Sequence, residues 1–166
     1  MKILLVVIVA LCLENPCYSQ AIQCTHGWVG LNTKCYFFSN TKEKYTDASA
    51  YCHAFGSKLA EPISQDEVHF ISKKVVERGH DSSFYIGVND LFLEGEWVYA
   101  YERTPLKIHP PWINGHADNS HDEDCIEVYS GHQGKWADIP CSTPLYYICE
   151  YDYDAEPLNL GRRKTL

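Results

Sequence analysis

The sequence predicts one compact domain in which two α-helices are combined with several short β-strands. Its length of 166 residues is typical of a single domain. Two segments in the first half show the apolar spacing of amphipathic helices, whereas shorter apolar or alternating runs elsewhere are typical of strands. Together these observations indicate a mixed helix-and-strand fold with its own hydrophobic core.

Two segments carry signals for both ends of a helix. The first helix is predicted between Thr46, which can cap it, and Gly56, which ends it. Its predicted inward stripe consists of Ala48, Tyr51, Cys52 and Phe55, at positions i, i+3, i+4 and i+7. The second begins with a capping box formed by Ser64 and Glu67 and ends at Arg78-Gly79. Its predicted inward face consists of Val68, Ile71 and Val75.

Strands are predicted on both sides of the helices, where β-branched and aromatic residues lie between turn residues. The segments are residues 28–38, 84–88, 97–99, 126–129, 136–138 and 146–150. From residue 103 to 124, prolines, glycine and histidines indicate a long loop, and loops of this length are usually functional or disordered. The loop ends in an acidic run directly before Cys125.

The amino terminus has the plan of a secretory signal: Lys2, an apolar run over residues 3–13, and a small-residue step ending at Ser19. Eleven apolar residues are too few to span a bilayer, which needs about 20. We therefore expect cleavage after Ser19, a secreted extracellular domain over residues 20–151, and a flexible tail over residues 152–166. The alternative for the first segment is a buried amino-terminal helix.

Composition narrows the classes of partner. The chain has 22 acidic and 14 basic residues, a formal net charge of −8, which argues against nucleic acid and anionic membranes as partners. Cations and neutral polar ligands are more compatible with this negative charge. The 45% hydrophobic content supports a real core and excludes disorder as the main state.

Eight cysteines in a short chain indicate an oxidising compartment. Removal of the signal would discard Cys12 and Cys17 and leave six, an even number that allows three disulfides in 15 pairings. No pair has Cys-x-x-Cys spacing, so a thiolate zinc site is disfavoured. Spacing alone does not choose among the pairings.

A set of short motifs lies along residues 24–151: Cys24-x3-Trp28, Lys34-Cys35-Tyr36, Cys52, Tyr85-Ile86-Gly87-Val88, Gly95-Glu96-Trp97, Glu123-Asp124-Cys125, Gly134-Lys135-Trp136-x-Asp138, Cys141 and Tyr147-Ile148-Cys149-Glu150. On these residues the chain resembles the C-type lectin-like domain in its long, six-cysteine form, and it looks most like the secreted perlucin-like lectins of molluscs. The resemblance implies an α+β fold in which two helices flank antiparallel sheets and a long loop carries a calcium and ligand site. It also implies disulfides that join Cys24 to Cys35, Cys52 to Cys149 and Cys125 to Cys141.

The resemblance also implies a principal calcium and sugar site. Its family positions fall on His116-Ala117-Asp118, Glu123 and Ala137-Asp138. Three positions depart from the family pattern: His116 offers nitrogen, a poor ligand for calcium, Ala137 offers none, and Ala117 replaces a cis-proline. Three carboxylates remain, and water can fill the gaps in the shell. The preferred sugar cannot be inferred from this triplet.

A second calcium position is implied by the same resemblance and keeps more of its ligands. Its family positions fall on Asp90, Glu94, Asn119, Glu123 and Asp124. Calcium there would relieve repulsion among clustered carboxylates and hold the loop. The alternative is that these acids only solvate a turn.

Other residues allow weaker interpretations. A zinc site at His116, His121 and Asp122 competes with ordinary surface histidines. Sugar stacking on Trp112, Tyr99 or Tyr101 competes with packing in the core or on the sheet.

Two functions remain open at this stage. The first is a secreted C-type lectin with calcium as cofactor that binds glycans or glycoproteins through the His-Ala-Asp loop motif, in innate immune recognition. The second is an extracellular or shell-matrix protein that binds protein or calcium mineral without sugar specificity. An enzyme is not expected, because no nucleophile is paired with a base at a readable position.

Overall fold

The computed structural model describes residues 22–114, 116, 117 and 122–153. The predicted signal over residues 1–19 and all but the first two residues of the predicted tail lie outside this range. Strands are β1 Val29–Leu31, β2 Lys34–Phe38, β3 Lys58–Leu59, β4 Ser83–Asn89, β5 Val98–Tyr99, β6 Cys125–Tyr129, β7 Lys135–Ile139 and β8 Tyr146–Asp152. Within this range the helices are α1 Tyr45–Ala54 and α2 Gln65–Val76, and a 3-10 turn follows β6 at Ser130–His132. In the described part of the chain, no helix is long and apolar enough to cross a membrane.

The second helix forms as its sequence predicts. The backbone N–H of Glu67 donates to the Ser64 hydroxyl, and the Glu67 carboxylate accepts from the Ser64 backbone, so the capping box is complete. Val68, Ile71 and Val75 are buried in the core. The helix ends at Val76, slightly before the predicted stop.

The first helix differs from its prediction in two respects. It begins at Tyr45 rather than after Thr46, and its N-cap, Lys44, makes no side-chain capping bond. Its buried face is Tyr45, Ala48 and Cys52, whereas Tyr51 and Phe55 are 46% and 62% exposed. The earlier start brings Tyr45 into the core, where its hydroxyl accepts from the Asn89 amide, and this rotates the stripe away from Tyr51 and Phe55.

The strands form a sheet in the order β1-β2-β8-β4-β6-β7, with β3 added on β8 and β5 on β4. All pairings are antiparallel except the one between β4 and β8, so the sheet is mixed rather than wholly antiparallel. The parallel pair arises because β8 returns at the end of the domain to lie between β2 and β4. The last strand is therefore central, and both flanking halves depend on it.

Three disulfides stabilise this arrangement: Cys24–Cys35, Cys52–Cys149 and Cys125–Cys141. All three confirm the predicted pairings. The Cys52–Cys149 bond joins α1 to β8 across 97 residues of sequence. In the chain-entropy model a closure of this length contributes about 4 to 5 kcal/mol.

A network of ion pairs is buried beside the central strand. Lys34 lies 3.1 Å from Glu67 and 3.3 Å from Glu150, and Lys58 lies 2.6 Å from Glu61. Three carboxylates thus share two ammonium groups, which leaves one negative charge in excess. Burial raises the pKa of Glu150 to about 7, although the two lysines oppose the shift.

We expect Glu150→Gln to stabilise the protein at pH 8 and to have little effect at pH 5. A carboxyl with a raised native pKa binds a proton that the unfolded chain releases, so stability falls as pH rises between about 4.5 and 7. Urea unfolding midpoints at both pH values measure the difference. Glu102→Gln, which removes an exposed carboxylate 3.3 Å from Lys58, is the control. An equal effect of Glu150→Gln at both pH values would contradict this account.

Candidate functional site

The long loop is attached to the sheet beside β7. The Ile113 backbone donates to the Trp136 carbonyl at 2.8 Å, and the Trp136 backbone donates to the Pro111 carbonyl at 3.0 Å. Trp112 packs between Trp97 and Trp136, at ring-centroid distances of 5.3 and 6.2 Å. The loop is therefore held against the end of the domain that carries Asp138.

The structure brings together two residues of the predicted principal site. His116 Nδ1 lies 3.0 Å from Asp138 Oδ1. The Asp138 side chain is 2% exposed and the His116 side chain is 41% exposed, so the imidazole covers a buried carboxylate. One oxygen predicted to bind calcium thus already has a partner. The sequence assigns both positions to one site but does not reveal this contact.

Ala117 adopts a backbone conformation that the family's proline could not. Its φ is 59°, in the left-handed region, and the described residues contain no cis peptide bond. A proline ring holds φ near −65°. The loop therefore follows its own path at this position, as the missing proline predicts.

The remaining principal-site residues are placed unevenly. Asp118 lies outside the described residues. Glu123 is described and is half-buried, and Ala137 is buried in β7 and offers no ligand atom, as expected.

The second predicted site is centred on Asp90, directly after β4. Its Oδ2 accepts from the Gly95 backbone at 2.8 Å, and its backbone donates to the Asp124 carbonyl at 3.2 Å. Its Oδ1 is buried and accepts no hydrogen bond from the residues that the structure describes. Burial raises the pKa of Asp90, the bond from Gly95 partly offsets the shift, and the Glu94 and Asp124 carboxylates add to it.

An unsatisfied buried carboxylate oxygen beside two further carboxylates fits a hard cation such as calcium. The described residues alone do not complete a metal shell, because no three acidic, histidine or cysteine side chains among them converge on one point. Asn119, another of the five predicted ligands, lies outside the described range. The same is true of His121 in the zinc interpretation.

The three aromatic residues considered for sugar stacking differ in how deeply they are buried. Tyr99 is wholly buried, and its hydroxyl donates to the Pro62 carbonyl at 2.7 Å, so it belongs to the core. Trp112 is half-buried between two other tryptophans. Tyr101 is 53% exposed, but it lies in the turn after β5 rather than beside Asp138.

Comparisons with known proteins agree with this architecture. The model of a family described as the lectin C-type domain matches residues 41–151. Collectin-11 of Danio rerio is 36% identical over 124 residues, which are 74% of this chain and 44% of that protein. The perlucin-like protein of Mytilus galloprovincialis is 31% identical over 133 residues, which are 77% of this chain and 83% of that protein. The chain thus spans less than half the length of the collectin but most of the perlucin-like protein.

A solved structure has the same fold. The carbohydrate-recognition domain of the mouse scavenger receptor C-type lectin aligns with a TM-score of 0.70 and 31% sequence identity. The alignment covers 78% of this chain and 98% of that domain. The predicted two-helix fold with its three disulfides is therefore confirmed.

We expect Asp90→Asn to raise the melting temperature in calcium-free buffer at pH 8. The substitution removes a charge that is buried and repelled by Glu94 and Asp124. Because a raised carboxyl pKa lowers stability above the unfolded pKa, the gain should shrink as pH falls towards 4. Calorimetry over this pH range measures it. The exposed, same-loop variant Glu96→Gln is the control, and a destabilised Asp90→Asn protein at pH 8 would contradict the interpretation.

Proposed function

The chain belongs to the C-type lectin family, and on that premise we propose that it is a secreted lectin that binds carbohydrate in a calcium-dependent manner. The observation that supports calcium most directly is the buried, unsatisfied oxygen of Asp90 beside the Glu94 and Asp124 carboxylates. The related mouse domain is a carbohydrate-recognition domain by name, which supports the ligand class.

We propose that Asp90, Glu94 and Asp124 hold a calcium ion together with Asn119 and Glu123. Calcium takes six to eight oxygen ligands, and its role would be to tie the loop to the end of β4. The Asp90 backbone is already bonded to Asp124, so the chain keeps two segments of this site together before any ion binds. A bound calcium ion would attract all three carboxylates and so offset the repulsion of Asp90 by Glu94 and Asp124.

We propose that sugar binds beside His116, Asp118, Glu123 and Asp138. A calcium ion there would supply a site for vicinal sugar hydroxyls, with the carboxylates as further hydrogen-bond acceptors. His116 fixes the orientation of Asp138 and keeps part of its ring exposed for a ligand hydroxyl. Since the backbone at Ala117 differs from that of the proline-containing family motif, the sugar preference should differ as well.

Secretion and a role in innate immune recognition complete the proposal. Three disulfides are typical of proteins that fold in an oxidising compartment. The apolar segment over residues 3–13 would direct the chain there.

A second candidate is a matrix protein that binds protein or calcium mineral without sugar specificity. Two observations favour it: Asp138 is partly used by His116, and Ala137 provides no ligand. The alignment with the perlucin-like protein covers most of both chains, so a function like that of the relative also stays a candidate.

Calcium is expected to raise the melting temperature of the wild-type protein by several degrees. Binding to the native state alone contributes about 2.7 kcal/mol when calcium is 100-fold above its Kd. Asp90→Asn and Glu123→Ala should lose most of this shift, whereas Glu96→Gln should keep it. If calcium leaves the wild-type melting temperature unchanged, the calcium proposal is wrong.

A glycan array with and without EDTA tests the sugar proposal. We expect wild-type binding to a subset of glycans that EDTA removes, and loss of that binding in Glu123→Gln. His116→Asn should change which glycans are bound, since it replaces the ring nitrogen with an amide at the sugar site. No EDTA-sensitive binding on the array would reject sugar recognition at this loop and favour the matrix candidate.

A further inference from the structure

A cavity of about 330 Å³ lies away from the predicted calcium ligands, between α1, β3 and the turn that follows β5. The residues that line it include Ser49, His53, Lys58, Leu59, Tyr101 and Arg103. The ionisable lining side chains other than the tyrosine are basic, and one of them, Lys58, also pairs with the Glu61, Glu102 and Glu150 carboxylates. The volume is at the lower end of the range for small-ligand sites, about 300 to 1,000 Å³, and suits a ligand with one ring.

Arg103 is held in an unfavourable backbone conformation at this cavity. Its φ is 54°, and its backbone donates to the Tyr99 carbonyl at 2.8 Å in a tight turn. A left-handed residue with a Cβ costs about 1 to 2 kcal/mol, and such turn positions favour glycine or asparagine. The exposed guanidinium forms no ion pair with any described residue. The guanidinium is therefore available to a ligand at this cavity.

The opposite wall is fixed by a buried carboxylate. Glu61 is fully buried, lies 2.6 Å from Lys58 Nζ, and also accepts a hydrogen bond from the Tyr101 backbone. Lys58 Nζ sits 5.1 Å from the centroid of the Tyr101 ring, and the His53 ring lies 5.8 Å from the same ring. The buried Glu61 carboxylate thus positions both the Lys58 ammonium group and the exposed Tyr101 ring.

The contacts of Lys58 indicate where a ligand would enter. Apart from Glu61 and the more distant Glu150, Lys58 pairs with Glu102, whose side chain is 53% exposed, at 3.3 Å. An exposed ion pair of this kind contributes little stability, about 0 to 1 kcal/mol. An incoming oxyanion can therefore displace the Glu102 carboxylate from Lys58 at small cost.

We propose that this cavity binds a small ring-containing ligand that carries one oxyanion group, independently of calcium. Arg103 and Lys58 bind the oxyanion, since a guanidinium forms paired charge-assisted hydrogen bonds with carboxylate, sulfate or phosphate oxygens. The Tyr101 ring packs against the ring of the ligand. The site is separate from the proposed sugar site and does not use its residues.

The test is an NMR titration of the folded, disulfide-bonded protein in EDTA with glucuronate, glucose 6-sulfate, glucose 6-phosphate and neutral glucose. At least one anionic probe should shift the backbone amides of Ser49, His53, Tyr101 and Arg103 saturably, whereas glucose should not. The order of affinity among the three anions identifies which oxyanion the site prefers. The presence of EDTA separates this result from any failure of the calcium-dependent proposal.

Two substitutions should act in opposite directions. Arg103→Gln is expected to raise the Kd about tenfold or more, as for loss of a hydrogen bond to a charged group. Glu102→Gln should lower the Kd, because it removes the competing carboxylate. Lys73→Gln, an exposed cation on α2, is the matched control and should leave the Kd unchanged.

Tyr101→Ala provides a further variant in the same exposed turn and should also weaken binding. The proposal is overturned if glucose shifts the same amides as the anions, if the shifts map to β7 and His116, or if no anion binds. An unchanged Kd in Arg103→Gln or in Glu102→Gln would equally contradict it.

Discussion

The position of β8 is the constraint on which the rest of the domain depends. This last strand pairs with β2, β3 and β4, so neither half of the sheet is complete without it. Two adjacent residues connect it to neighbouring elements. Cys149 is bonded to α1, and Glu150 meets the lysines of β2 and β3. A covalent link and a charge network thus act on consecutive positions of one strand.

The same strand explains why the long loop can differ from its family without disturbing the fold. The core beneath β8 is closed by β2, β4 and the two helices, whereas the loop is attached further along the sheet at β6 and β7. The disulfide Cys125–Cys141 closes the segment that contains both of those strands. The departures at His116 and Ala117 therefore change the path of the loop and leave the framework intact.

Features that depend on local sequence could be predicted well. The Ser64–Glu67 capping box lies within four residues and predicts the start of α2, and the spacing of Val68, Ile71 and Val75 predicts its buried face. The first helix was harder, because its rotation is set by a contact between Tyr45 and Asn89 across 44 residues. The disulfide pairings required a family resemblance, since spacing alone left 15 possibilities open.

The site was predictable only in part for the same reason. The sequence placed His116 and Asp138 in one site but could not reveal that they contact each other, since 22 residues separate them. Nor could it indicate that Glu67 and Glu150 share Lys34, because the helix and the two strands that carry these residues meet only in the folded domain. The unsatisfied oxygen of Asp90 is likewise visible only once the burial of each atom is known.

The strand order also determines how the domain can be presented to a surface. The first and last described segments lie close together, since the Tyr151 ring packs on Trp28 and the Tyr153 backbone N–H donates to the Thr33 carbonyl. The β1–β2 edge and the β6–β7 edge lie at opposite sides of the sheet. Anchoring the domain through its first or last described segment would therefore leave the β6–β7 edge, which carries the long loop, exposed. Copies anchored side by side would then expose the same edge in parallel, and attachment through several copies would exceed the strength of attachment through one.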